Sequence, residues 1–234
     1  MKRIGITGAE GFIGSHLIRR IENPVLLRYK TLDYLPDVRE FIKSCDRIYH
    51  LAGKNREVAP GKLLKNNLLS TANLILAMNL ENKFPELIFV SSTQVESNPT
   101  SEYGISKFLE ESAVKEARKW CIYRAPNVYG PGCKPFYNSV VATFCHQLSV
   151  GEELTINDPM VERDFIYIDD FVKELLVPEF NRYIRPRGKV MTIGQIAFHL
   201  KSGKHRKLAK TLKFYQRLEE NRPKGKEEKY EPYP

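Results

Sequence analysis

Thr7-Gly8-Ala9-Glu10-Gly11-Phe12-Ile13-Gly14 decides how this chain is read. It follows Lys2–Thr7, an apolar stretch that predicts a strand. It opens Phe12–Ile21, where Ile13, Leu17, Ile18 and Ile21 share one face of a predicted helix. Between a strand and a helix the three glycines have separate tasks. One makes the tight turn, one lets backbone approach a pyrophosphate, and one lets helix and strand pack closely. The helix start offers free N–H groups and a positive dipole end to phosphates. A glycine turn elsewhere would be an ordinary turn; at the start of a chain, after its first strand, it points to a bound dinucleotide.

Outward from this turn the chain alternates strand and helix. Val25–Leu27, Arg47–Leu51, Leu87–Ser91 and Trp120–Tyr123 read as strands. Asp37–Lys43, Leu63–Leu80 and Lys107–Lys119 read as helices. This order implies an α/β fold, a doubly wound parallel sheet with helices on both faces. After Gly130 the pattern changes. Ser139–Val150 looks helical, Leu154–Ile156 and Phe165–Ile168 are candidate strands, and Asp169–Val177 is a predicted helix. Gln195–Arg217 carries apolar residues at helical spacing, and from Asn221 the composition predicts disorder. The expected organisation is a dinucleotide-binding domain over 1–130 and a small substrate-binding region over 131–198. Helix 169–177 is expected to pack back on the first domain, and a basic helical tail to cover 199–234.

The chain has 234 residues, 42% apolar and 28% charged, which suits a folded globule. No apolar run reaches the ~18 residues of a membrane span, and the N-terminus lacks the pattern of a signal peptide. Cys45, Cys121, Cys133 and Cys145 are far apart, arguing against a disulfide scaffold and against a metal site. A cytoplasmic setting without a membrane is expected. The net charge is +9, and residues 199–234 hold eleven Lys/Arg against five Glu. Nucleic acid is a weaker reading of that tail than a solvated amphipathic helix.

Tyr103-Gly104-Ile105-Ser106-Lys107 puts a phenol and an ammonium at i and i+4, on one helix face. A free tyrosine, with a pKa of about 10, is a poor acid–base at neutral pH. A nearby ammonium stabilises the phenolate. Such a phenol can give a proton to a ketone oxygen as hydride reaches carbon, or take one in reverse. At the end of the second predicted strand, Arg28 suits the 2′-phosphate of NADP(H). Asp33, nearby, leaves NAD(H) open through a bond to the ribose.

Thr-Gly-x-x-Gly-x-x-Gly resembles the short-chain dehydrogenase/reductase superfamily, and Gly11-Phe12-Ile13-Gly14-Ser15-His16-Leu17 resembles its extended branch, which acts on nucleotide sugars. That resemblance implies a Rossmann-type sheet. It assigns cofactor contacts to Gly8, Glu10, Gly11, Phe12, Ile13, Gly14, Arg28, Asp37, Leu51, Ala52 and Gly53, with Tyr103 and Lys107 on the nicotinamide ribose. The same resemblance, with Val95 fixing the register, makes Ser92 the hydroxyl that holds a substrate carbonyl, and Asn67 matches the family asparagine, a helix-kink water site. Thr93 and Gln94 fall where dehydratases carry Asp-Glu, and neither side chain titrates near neutral pH.

Tyr123-Arg124-Ala125-Pro126-Asn127-Val128-Tyr129-Gly130-Pro131 is similar to the branch's Arg-x-x-Asn-Val-Tyr-Gly-Pro, and Arg163-Asp164-Phe165-Ile166-Tyr167-Ile168-Asp169-Asp170 to its Arg-Asp-Phe-Ile-x-Val-Asp-Asp. The resemblance assigns Asn127 and Arg163 to the nucleotide-sugar diphosphate, although Arg163-Asp164 also reads as a surface ion pair. Cys133–Cys145, with Tyr137 and Asn138, looks like the reductase domain of capsular-polysaccharide enzymes that reduce a UDP-linked 4-keto sugar with NADPH. In those enzymes a cupin domain follows. The implied function is an NADP(H)-linked 4-keto reductase with Ser92, Thr93, Tyr103, Lys107 and Asn67 at its substrate end, a homodimer, and a separate cupin epimerase as partner. A 4-epimerase that retains NAD is the alternative within the branch. A non-catalytic cofactor sensor or nucleic-acid-binding protein is the alternative outside it.

Overall fold

The structure, a computed structural model, describes residues 2–56, 59 and 61–222. The elements in chain order are β1 (Ile4–Thr7), α1 (Phe12–Leu17), β2 (Val25–Leu27), α2 (Leu35–Ser44), β3 (Arg47–His50), α3 (Lys62–Leu80), β4 (Glu86–Ser92), α4 (Gln94–Ser97) and α5 (Glu102–Val114). There follow β5 (Trp120–Ala125), β6 (Asn127–Tyr129), α6 (Val140–Ser149), β7 (Glu162–Tyr167), α7 (Ile168–Leu175), β8 (Arg182–Ile184), β9 (Lys189–Thr192), α8 (Ile193–Ser202) and α9 (Arg206–Glu220).

The chain divides into two compact units. Met1–Ala125 and Val172–Pro186 form the first; Pro126–Phe171 and the chain from Arg187 form the second. The first holds a six-stranded sheet in the order β2-β1-β3-β4-β5-β8, parallel throughout. Its central strands are buried on both faces, as a sheet covered by helices on both sides requires: Ile48, Tyr49 and His50 of β3 are all inside. Leu74 and Met78 of α3, Phe41 and Ile42 of α2, and Leu87 and Phe89 of β4 fill the core. In the pairing of β1 with β3, Thr7 stands opposite His50 at the strand ends.

The second unit holds a three-stranded sheet, β6-β7-β9, in which β6 and β7 are parallel and β9 is antiparallel. The basic helix α9 buries Leu208, Thr211 and Tyr215. Lys207 pairs with Asp170 and Lys210 with Asp169, and both ammoniums lie over the Tyr167 ring. Tyr215 donates its hydroxyl hydrogen to the carbonyl of Cys133. Part of the tail's charge is thus engaged within its own unit.

Several elements differ from the sequence reading. The helix expected at Lys107–Lys119 begins at Glu102, because Ser101 Oγ accepts from Gly104 N (3.0 Å) and caps it. The helix over Phe12–Ile21 ends at Leu17 and tightens to a 3₁₀ turn at Ile18–Arg20. The run Gln195–Arg217 is two helices separated at Gly203, whose φ of +66° is left-handed. No strand forms at 154–156; there Thr155 bonds to the Gln147 side chain instead. The expected disorder from Asn221 lies, beyond Arg222, outside the described residues. Among the described residues no helix is long and apolar enough to cross a membrane.

Candidate active site

The glycine turn is built as its spacing requires. Gly8 has φ +72°, and a Cβ there would sit 2.6 Å from Ala52 N. A Cβ on Gly14 would meet Gly8 O at 2.2 Å, so α1 can press against the turn only because that position is bare. Gly11 N donates to Gly8 O (3.0 Å) and closes the turn. Beside it lies a cavity of about 390 Å³, lined by Gly8–Gly11, Leu26–Arg28 and Leu51–Lys54. Of the expected cofactor residues, Gly8, Glu10, Gly11, Arg28, Leu51, Ala52 and Gly53 line it. Phe12, Ile13 and Gly14 lie in α1 behind the turn, and Asp37 is exposed in the first turn of α2. Arg28 Nε is 3.6 Å from Glu10 Oε1, with both side chains mostly exposed.

Gly53 connects this cavity to Lys107 and Tyr103, the residues expected to act as acid and base. A Cβ on it would meet Lys107 Nζ at 3.3 Å and Asn67 Oδ1 at 3.6 Å. Lys107 Nζ lies 5.9 Å from the centre of the Tyr103 ring and 4.6 Å from that of Phe89. Lys107 is buried. Burial opposes its charge, but Glu110, with Tyr103 and Glu111 behind it, outweighs this and raises its pKa above the usual lysine value. Ser92 ends β4, and its Oγ accepts from Gln94 N (3.2 Å). Thr93 precedes α4, its N–H bonded to Ala125 O.

Asn67 is a buried clamp. Its Oδ1 accepts from Lys54 N (2.9 Å), and its Nδ2 donates to Lys54 O (2.8 Å) and to Ser106 Oγ (3.1 Å). It therefore holds the loop after β3 against α3 and α5. Asn127, Tyr137, Asn138 and Arg163 belong to the second unit. Asn127 Nδ2 donates to Asp164 O (3.1 Å), which sets Asn127 beside the β7 stretch that carries Arg163. Arg163 is exposed and bonds Glu162 O. Lys134 lies over the Tyr137 ring, and Asn138 is exposed just before α6.

The sequence reading missed a buried polar chain beneath these groups. Thr7 Oγ1 and His50 Nδ1 are 2.7 Å apart, and His50 Nε2 and Thr71 Oγ1 are 3.0 Å apart. Thr71 Oγ1 donates to Glu110 Oε2 (3.2 Å). With the Thr71 hydroxyl hydrogen given to Glu110 or to Asn67 O (3.3 Å), Thr71 accepts from His50 Nε2, and Thr7 then donates to Nδ1. Burial, with Lys107 adding to it, holds the His50 pKa down at about 3, so the ring is neutral. A second bond set joins α5 to the sheet: Arg124 clasps Glu111 through two nitrogens, and Ser91 Oγ donates to the same carboxylate (2.6 Å). The available signal was His50, a titratable residue inside the apolar run of β3.

A strand–glycine turn–helix with a cavity beside it, and a Tyr-x-x-x-Lys helix whose ammonium reaches the cavity's rim, are now in place. The profile of the NAD dependent epimerase/dehydratase family matches residues 4–178. The chain belongs to that family. Within the family it is 36% identical, over 185 residues, to the UDP-2-acetamido-2,6-beta-L-arabino-hexul-4-ose reductase of Pseudomonas aeruginosa, covering 74% of this chain and 48% of that protein. It is 26% identical to the GDP-6-deoxy-D-mannose reductase of the same species, covering 75% and 69%. The capsular polysaccharide assembling protein CapF from Staphylococcus aureus superposes with a TM-score of 0.72 at 27% identity, covering 91% of this chain and 64% of that one. This epimerase/dehydratase-family chain thus spans about half the length of the first relative.

Proposed function

We propose that the chain is the reductase of a nucleotide-linked 4-keto sugar, with UDP as the nucleotide and NADP(H) as the cofactor. The observation that carries this is the placement of Lys107 Nζ between Gly53, at the cofactor cavity, and the Tyr103 ring. The glycine turn fits a dinucleotide, because side chains at Gly8 and Gly14 would collide with backbone and a Cβ on Gly11 would press on Gly8 O at 3.2 Å. Gly8–Gly11 would hold the pyrophosphate, Arg28 a 2′-phosphate, and Lys107 the nicotinamide ribose. Bound there, the cofactor supplies a hydride for the keto carbon. Tyr103 gives its phenolic proton to the keto oxygen, so a C–H and an O–H bond form as the carbonyl π bond is lost. Ser92 donates a hydrogen bond to the same oxygen and holds it for protonation. Thr93 and Gln94, following Ser92, offer no titrating pair for expelling a hydroxyl, which favours reduction over dehydration.

The names of the 36% and 26% identical relatives, both reductases of nucleotide-linked sugars, support the same reading. Asn127 and Arg163 are the proposed diphosphate ligands, with Tyr137 and Asn138 in the substrate loop. A role in surface-polysaccharide precursor synthesis in the cytoplasm, with a cupin epimerase as a separate partner, accompanies this reading. A homodimer is proposed through α3 and α5, where Leu69, Leu76, Ile105 and Phe108 are exposed. Sedimentation velocity is expected to show two chains.

The functional test has two mixtures. NADPH with a UDP-4-keto-6-deoxyhexose is expected to lose nicotinamide absorbance. A UDP-hexose without added cofactor is expected to stay unchanged. A 4-keto-6-deoxy product in the second mixture would make the chain a dehydratase, and C4 epimers without net NADPH loss would make it an epimerase.

A further inference from the structure

Lys107 shares its buried site with a second charge. Glu110 Oε2 lies 3.2 Å from Lys107 Nζ, and Glu110 is fully buried. Its carboxylate accepts from three donors on two helices: Lys107, Ser106 Oγ (3.0 Å) and Thr71 Oγ1 (3.2 Å). An ionised carboxylate is stable inside a protein only when its oxygens are bonded and its charge is matched. Both conditions are met here, and the match is made by the ammonium that faces Tyr103.

We propose that Glu110 is a positioning residue that holds the Lys107 ammonium and tempers its pull on the Tyr103 phenol, setting the pair to give a proton more readily than to take one. This rests on the reading of Tyr103 and Lys107 as the acid–base pair. The charged and titratable groups around Glu110 are few. On α5 they are Lys107, Tyr103 and Glu111. From β5, Arg124 pairs with Glu111, and from α4, Glu96 pairs with Arg124. From β3, His50 faces Thr71 and is neutral. From α3 comes Thr71, which does not titrate. Arg124 and Arg185 together offset Glu111 and Glu96, so the field at the phenol is set by the difference between Lys107 and Glu110. A lone ammonium would favour the phenolate strongly; an ammonium paired at 3.2 Å favours it less. The phenol then keeps its proton to higher pH, which is the state a ketone reductase uses. The His50–Thr71 chain orients the carboxylate from below, leaving Lys107 little freedom to turn away.

The test is Glu110→Gln, close in shape and without the charge. Its first readout needs no substrate: the ionisation of Tyr103, taken as the tyrosinate absorbance difference between the protein and the same protein carrying Tyr103→Phe. The midpoint is expected to fall by about one pH unit. The alkaline limb of the rate of NADPH oxidation is expected to fall by the same amount, and Glu110→Asp to restore most of it. A structural role alone would lower the melting temperature and leave both midpoints in place, which would overturn the proposal. Should Glu110→Gln not fold, a thermal cycle decides. Lys107→Met is expected to melt below the Lys107→Met/Glu110→Met double variant, since it leaves one buried charge unpaired. A double variant that melts no higher, or does not fold, overturns the pairing. Absence of turnover in the unaltered protein counts against the proposed function only; the tyrosinate titration and the cycle stand without it.

Discussion

Arg28 Nε lies 3.6 Å from Glu10 Oε1 where both line the cavity beside the glycine turn, so the cation expected to meet a 2′-phosphate has a carboxylate beside it. A phosphate arriving there gains Arg28 and is opposed by Glu10. Arg28→Ala is expected to weaken NADPH binding about ten- to a hundredfold, the range of a charge-assisted bond, and NADH binding little. Glu10→Gln is expected to tighten NADPH severalfold. Fluorescence titrations of both cofactors check this. Equal affinities for NADPH and NADH, unmoved by either substitution, would shift attention to Asp33.

Tyr103→Phe is expected to lower turnover by about 10²–10⁴, the usual contribution of a general acid, while NADPH affinity stays within a few-fold. Steady-state rates and a binding titration on the same preparation separate the two effects. Retention of more than half the activity would remove the phenol from the chemistry.

Asn67→Ala removes both bonds to the Lys54 backbone and the bond to Ser106. Buried groups left unpaired cost about 1–3 kcal/mol, so the melting temperature is expected to fall by several degrees. Because Lys54 lines the cavity, NADPH binding should weaken as well. A normal melt with weakened binding would mean that water replaces the amide.

The parallel sheet was legible because its strands are short apolar runs between helices, and because glycine spacing has a steric cause that the Gly8 and Gly14 contacts display. Tyr103 and Lys107 were legible through their i, i+4 spacing, although the helix was placed five residues late. Its start depends on the Ser101 cap, a side-chain bond to Gly104 N that apolar spacing does not mark. β6, β8 and β9 went unread because their three or four residues mix polar with apolar side chains, whereas the equally short β2 is Val25-Leu26-Leu27. Glu110 and Glu111 look alike in sequence, as two acids on a helix. Only packing shows that one meets Lys107 and the other Arg124.

Below neutral pH, His50 is expected to act against the fold. Its pKa is about 3 in the folded chain against 6.5 for the free group, so the unfolded chain binds the proton first. Stability is fully present above about pH 6.5 and is lost as pH falls toward 3, by about 1.4 kcal/mol per pH unit from this group inside that window. Glu86 adds its loss lower, between its ordinary range and about 2. Urea unfolding at pH 7, 6 and 5 should show the His50 slope, and His50→Gln should flatten it. An equal slope in both proteins would assign the acid lability elsewhere.

The proposed reaction moves a hydride from NADPH to the keto carbon of a nucleotide sugar, with Tyr103 supplying the proton. It is tested most directly with NADPH carrying deuterium at both C4 positions of the nicotinamide, a UDP-4-keto-6-deoxyhexose, and mass spectrometry of the sugar. One deuterium at sugar C4 is expected for each NADPH consumed, and about a hundredth as much label or less when Tyr103→Phe replaces the wild type over the same time. A sugar product without deuterium, formed while the labelled NADPH stays intact, would contradict it.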